Sequence, residues 1–104
     1  MAYTKDGIMA QIYIAFGQGT GSMRVSQDTC VALHARYYPL ITDKVVDDWE
    51  GEAVQVLERI RAIGRLMATN AATKGQTRIQ GDSVAAAAQM VEKESETALC
   101  SGPP

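Results

Sequence analysis

Apolar positions recur along the middle of the chain with a helical period. Val31, His34, Tyr38, Ile41 and Val45 follow one another at steps of 3, 4, 3 and 4. This is a heptad-like seam suited to packing against other helices. Ser26 or Asp28 can cap it at the front, which predicts a first helix over 22–48. Pro39 falls inside that helix, where it removes a hydrogen bond and costs about 3 kcal/mol, so a kink or short break is expected there. Ala53, Val56, Leu57, Ile60, Ile63, Gly64 and Met67 mark one face of a second helix, expected over 52–95. Asp47 or Asp48 can cap it, and Glu50 and Glu52 suit the positive end of its dipole. Between the two stands Trp49-Glu50-Gly51, with the only tryptophan of the chain. Glycine accepts the left-handed conformation of a tight turn, and an indole can plug the closed end of a hairpin. The pattern therefore predicts an all-α chain folded as a helix-turn-helix hairpin, with its turn at 49–51.

The two ends are less regular. Residues 1–21 read as an irregular or flexible lead. Gln11-Ile12-Tyr13-Ile14-Ala15-Phe16 has strand-like character, and Gly17-Gln18-Gly19-Thr20-Gly21 breaks any regular element. The glycines do not make a phosphate loop, because no lysine and no Gly-Lys-Ser/Thr follows. Lys74-Gly75-Gln76 and Gly81-Asp82 weaken the second helix across 74–82. Asp82 or Ser83 can cap a restart through Val84–Glu94, where Ala85-Ala86-Ala87-Ala88 lets a neighbouring helix come close. Residues 96–104 read as a flexible tail. No internal repeat is evident, and 104 residues suit one domain, 1–104.

Charge adds a polarity to the second helix. Residues 43–58 carry six acids and one lysine, whereas 59–81 carry Arg59, Arg61, Arg65, Lys74 and Arg78 and no acid. This reads either as a basic patch or as acids early and bases late matching the helix dipole; the second is preferred, because no aromatics interleave the bases. The net charge of −2 gives no bulk signature for nucleic acid or anionic membrane. No apolar run approaches the roughly 18 residues of a membrane span. Gly7–Phe16 lacks the basic flank and cleavage site of a signal peptide.

Catalytic chemistry is hard to assemble from these residues. His34 is the single histidine and lies on the apolar seam with no acid or cysteine beside it, so a packed core histidine is expected. Cys30 and Cys100 show no metal spacing. Cys30 reads as a free buried thiol and Cys100 as part of the tail. The acids of 43–52 lack the ordered ligand loop of a cation site. The expectation is a protein that is no enzyme, with no cofactor and no metal.

Taken together, these features resemble the WXG100 family, the small helical hairpins exported by type VII (ESX) secretion systems. The likeness rests on the length, on Trp49-Glu50-Gly51-Glu52-Ala53 at mid-chain, and on Ile12–Gly17 as an apolar-aromatic lead. It rests also on Met90-Val91-Glu92-Lys93-Glu94, about forty residues beyond the tryptophan. There Met90 and Glu94 occupy the places of the tyrosine and acid of the family's export signal; the tyrosine itself is absent. The resemblance implies an antiparallel four-helix-bundle dimer, homodimeric or with a paired hairpin protein. Val31, His34, Tyr38, Ile41, Val45, Val56, Ile60, Ile63 and Met67 would form its seam. It implies secretion without a cleavable signal peptide, through a secretion ATPase; the alternative location is cytoplasmic.

A histone-like fold is the rival architecture. Ile41–Lys44 would be its first loop, 45–73 its central helix, Thr77-Arg78-Ile79 the strand of its second loop, and Asp82–Ala86 the opening of its last helix. Lys44, Lys74 and Arg78 would then face DNA phosphates. This accounts for the break at 74–82 but leaves Gly51 as a cost of about 1 kcal/mol inside a helix, and the net charge of −2 weighs against a DNA-compacting protein and against nucleic acid as a partner.

Overall fold

The computed structural model describes residues 3–100, with side chains for all of these except Asp82 and 93–100. The described chain is all-α apart from one minimal strand pair. Helix α1 spans Lys5–Thr20, strand β1 Arg24–Val25, helix α2 Gln27–Tyr37, helix α3 Asp43–Thr73, strand β2 Arg78–Ile79 and helix α4 Val84–Cys100. Short 3-10 turns cover Tyr38–Leu40 and Gly81–Ser83.

No turn exists at Trp49–Gly51. Helix α3 runs unbroken for 31 residues through both, so the hairpin is corrected. Thr42 caps this helix by accepting from the Val45 N–H, several residues before the expected start at Asp47 or Asp48. Gly51 lies exposed on α3 with no neighbour near where a Cβ would stand. A lone glycine costs a helix only about 1 kcal/mol, and the burial of the surrounding residues outweighs that. Pro39 sits in the 3-10 turn between α2 and α3, so the stretch expected as one kinked helix is two helices.

The second correction is at the N-terminus. The lead expected to be irregular is helix α1, capped by the Thr4 hydroxyl, which accepts from the Gly7 N–H at 2.9 Å. Ile8, Met9, Ile12, Ala15 and Phe16 are buried along it, spaced as one helical face. Gly19 of α1 has a packing role, and Gly64 of α3 answers it. A Cβ at Gly19 would stand 2.1 Å from the Arg61 carbonyl oxygen, and one at Gly64 would stand 2.5 Å from the Phe16 carbonyl oxygen. The backbones of α1 and α3 thus touch where only glycine fits.

Three contacts fix how the elements run. Lys5 pairs with Asp43 at 3.6 Å, the Trp49 Nε1–H donates to Gln11 Oε1 at 3.2 Å, and Arg61 donates to Gln18 at 3.2 Å. Numbers rise together on both helices, so α1 and α3 are parallel. Strands β1 and β2 pair in parallel, Arg24 beside Arg78 and Val25 beside Ile79. Gly81 abuts the Asp28 backbone and Glu92 meets Arg36 at 3.5 Å, so α2 and α4 also run together. Two helix–strand–helix units therefore lie side by side in the same sense, as successive steps of a repeat protein do.

That arrangement uncovers a sequence repeat at an offset of 54 residues. Gly21-Ser22-Met23-Arg24-Val25-Ser26-Gln27-Asp28 matches Gly75-Gln76-Thr77-Arg78-Ile79-Gln80-Gly81-Asp82 in glycine, arginine, β-branched residue and aspartate. Gly21 and Gly75 are the two described residues with positive φ, 65° and 72°. Each ends its long helix at the same point of the motif. The reading that no repeat is present is thereby corrected.

The core joins both units. Trp49, Ile60, Ile63 and Met67 of α3 pack with the buried face of α1, with Leu33 and Ile41, and with Val84, Ala87, Ala88 and Val91 of α4. The helix α4 extends to Cys100, past the expected end at 95; residues 101–104 of the expected tail lie outside the described residues. Among the described residues no helix is long and apolar enough to cross a membrane.

Candidate functional site

The repeat brings its two arginines together. Val25 and Ile79 turn toward the core, Ile79 fully buried, so alternation along a strand turns Arg24 and Arg78 outward. Both are exposed. Paired strands lie about 4.8 Å apart, which sets the two guanidinium-bearing chains next to each other on one face. Like charges at directly paired positions are destabilising. Neither arginine takes part in a salt bridge among the described residues; those two bridges are Lys5–Asp43 and Arg36–Glu92.

The loops beneath them are tied together. The Ile79 carbonyl accepts from the Ser26 N–H at 3.1 Å and from the buried Thr29 hydroxyl at 3.1 Å. Thr29 also shares a 2.8 Å hydrogen bond with the Ser26 hydroxyl, and Ser26 caps α2 by accepting from the Thr29 N–H. The arginines thus stand on a cross-linked platform.

Further positive charge gathers at this end. Lys74 closes α3 just ahead of Gly75 and is exposed. Arg61 and Arg65 flank Gly19, near the end of α1 that leads into β1. Residues 7–27 and 59–81 contain no acid. The sorting of charge along α3 now has a spatial meaning: its basic half leads to the paired loops and its acidic half to the opposite end.

The expected site residues fare unequally. Lys74 and Arg78 share a loop, but Lys44 stands at the other end of α3, about 45 Å away at 1.5 Å per residue. The three do not form one edge, and Arg24, which sequence reasoning passed over, takes the place of Lys44. The repeated Gly-x-x-Arg-Val/Ile-x-x-Asp is the signal that would have found it. The seam holds from Ile41 onward: Ile41, Ile60, Ile63 and Met67 are buried, with Val45 and Val56 half-buried. It fails in α2, where Val31 is 61% exposed and Thr29 and Leu33 are buried in its stead. His34 is exposed and stacks on half-buried Tyr38 at 4.6 Å, so it is no core histidine. Cys30 is free but exposed, not buried as expected. The Tyr13 hydroxyl reaches its carbonyl at 3.5 Å; partial burial, and then the neighbouring Cys30, raise the Tyr13 pKa above its ordinary value. Trp49 is buried as a core residue. Met90 is exposed on α4, and the side chains of Glu94 and Cys100 lie outside those described. Among the described residues no group of three or more His, Cys, Asp and Glu side chains is placed to hold a metal ion.

Compared with protein-family models, curated proteins and solved structures, the chain matches none.

Proposed function

We propose that the chain is a non-enzymatic binding module that holds a polyanion, the phosphate backbone of nucleic acid, at its paired loops. The observation that carries this is the registration of Arg24 beside Arg78 on an exposed face. A sequence that sets two arginines at paired positions bears their repulsion, and a phosphate bridging them removes it, since guanidinium groups bind phosphate through paired N–H donors. Lys74, Arg61 and Arg65 extend the positive field around the pair. Six of the 12 acids lie within 43–58, the far half of α3; Asp28 and Asp82, four residues after each arginine, are the acids nearest the pair in sequence. The reading keeps the DNA-binding function of the histone-like alternative but moves its contacts. Fluorescence anisotropy of a labelled DNA duplex at low salt tests it. Binding is expected, with the Arg24→Ala/Arg78→Ala double variant weaker by about tenfold or more and Lys44→Ala unchanged. Equal affinity for wild type and double variant contradicts the site.

A second reading keeps a paired helical protein, without the hairpin that the family resemblance supplied. Supporting it, Leu40, Val54 and Met90 are 60%, 68% and 51% exposed. Sedimentation at rising protein concentration tests pairing. Comparing culture medium with and without the secretion ATPase tests export.

A further inference from the structure

Beside Trp49 the packing of α3 opens into a cavity of about 220 Å³. Its floor is apolar and buried, formed by Ile8 and Ile12 of α1 and by Trp49 and Ile60 of α3. An apolar cavity of about 150 Å³ is known to take up benzene, so this one has room for a substituted six-membered ring.

Two features define the polar side of an occupant. Tyr37 lines the cavity; among the described residues its buried hydroxyl makes no hydrogen bond of good geometry, with the Arg36 guanidinium beside it. Burial first of all raises the Tyr37 pKa above the ordinary phenol value; Arg36 works against this and Glu92 with it. The group is thus a neutral O–H, able to donate and to accept. A buried hydroxyl short of a well-placed partner is destabilising, and a ligand oxygen would supply that partner. The rim carries Glu52, Arg59 and Glu92, and Glu92 is already paired with Arg36. With Glu92 paired to Arg36, Glu52 and Arg59 leave no excess of one sign among the described rim residues.

We infer that this cavity is a binding site for a small neutral ring compound bearing one hydroxyl or carbonyl oxygen, which bonds to Tyr37 while its ring lies against Trp49 and the isoleucines. The site is independent of the arginine pair and lies toward the other half of α3.

Trp49, the only tryptophan, reports on occupancy directly. Cyclohexanol and methylcyclohexane, both transparent at the excitation wavelength, are titrated into the full chain while tryptophan emission is followed. A saturable change is expected with both, tighter for cyclohexanol. Tyr37→Phe is expected to weaken cyclohexanol about fivefold, the worth of one hydrogen bond, and to leave methylcyclohexane unchanged. Val56→Phe, which puts a ring into the space from the wall, is expected to abolish both responses with an undiminished melting temperature. No saturable response in the wild type overturns the inference, as does an equal response of wild type and Tyr37→Phe to cyclohexanol. So does a wild-type dimer in sedimentation whose Trp49 emission ignores both compounds, because a second copy would then cover the cavity.

Discussion

The two halves of α3 solve the same packing problem in opposite ways. Around Gly64 the helix meets α1 backbone to backbone, with no room for a single added carbon. Around Trp49 it meets the same neighbour through a large side chain and a hydrogen bond to Gln11, and a cavity of about 220 Å³ lies beside the contact. The tight half is basic and feeds the cross-linked loops. The open half is acidic and faces away from them. Close contact is thus placed where two arginines are held in register, and free volume where a small ligand can enter. Contact through small residues gives precision, and contact through large ones leaves gaps that only exact side-chain complementarity would close.

The sharpest way to break this comparison is to add one carbon at the tight contact. Gly19→Ala sets a Cβ against the Arg61 carbonyl, a backbone atom that cannot swing aside. A loss of about 3 kcal/mol is expected, at the upper end of overpacking costs. That lowers the melting temperature by about 12 °C or more, as read by circular dichroism. A change under 2 °C, on the order of 0.5 kcal/mol or less, would show that the backbones do not touch.

Gly51→Ala probes the open half with the opposite sign. The residue is helical, exposed and unconfined, so alanine is expected to stabilise by about 0.5–1 kcal/mol and to raise the melting temperature by about 4 °C. Were Gly51 in a left-handed turn, the same substitution would destabilise.

A smaller effect comes from Tyr37. Its folded pKa is raised, chiefly by burial, so the stability held by its neutral form is complete below the ordinary phenol value near 10. That contribution is lost as pH rises through the higher folded value. Between pH 9 and 11, wild type is expected to lose stability more steeply than Tyr37→Phe in denaturant titrations. Parallel curves would place the hydroxyl in water.

Much of the helical content was legible because period and caps agree there. Val56, Ile60, Ile63 and Met67 follow the helical stripe, Ser26 caps α2, and the glycines at 75 and 81 mark the interruption before α4. Helix α1 was hidden because Gly17 and Gly19 look like breakers, when Gly19 is needed for contact with a segment forty residues away. Trp49-Glu50-Gly51 misled for the reverse reason: local turn chemistry was present, and tertiary burial of Trp49 overrode it. His34 and Val31 fit the seam by spacing, but α2 turns Thr29 and Leu33 inward, a rotation fixed by the Thr29–Ile79 hydrogen bond. The arginine pair was legible in principle, through a motif repeated at 54 residues. It escaped because each copy is short and only the strand pairing shows why arginine recurs.

The central claim, that Arg24 and Arg78 act together on phosphate, is tested most directly by the salt dependence of DNA binding. Each phosphate neutralised contributes about −0.9 to the slope of log affinity against log salt. Because both arginines act on one bridging phosphate, the slope is expected to become shallower by about 0.9 in the double variant, and by no more than that in Arg24→Ala or Arg78→Ala. Lys44→Ala should keep the wild-type slope. An unchanged slope in the double variant, or a loss in Lys44→Ala as large as in the arginine variants, would contradict the account.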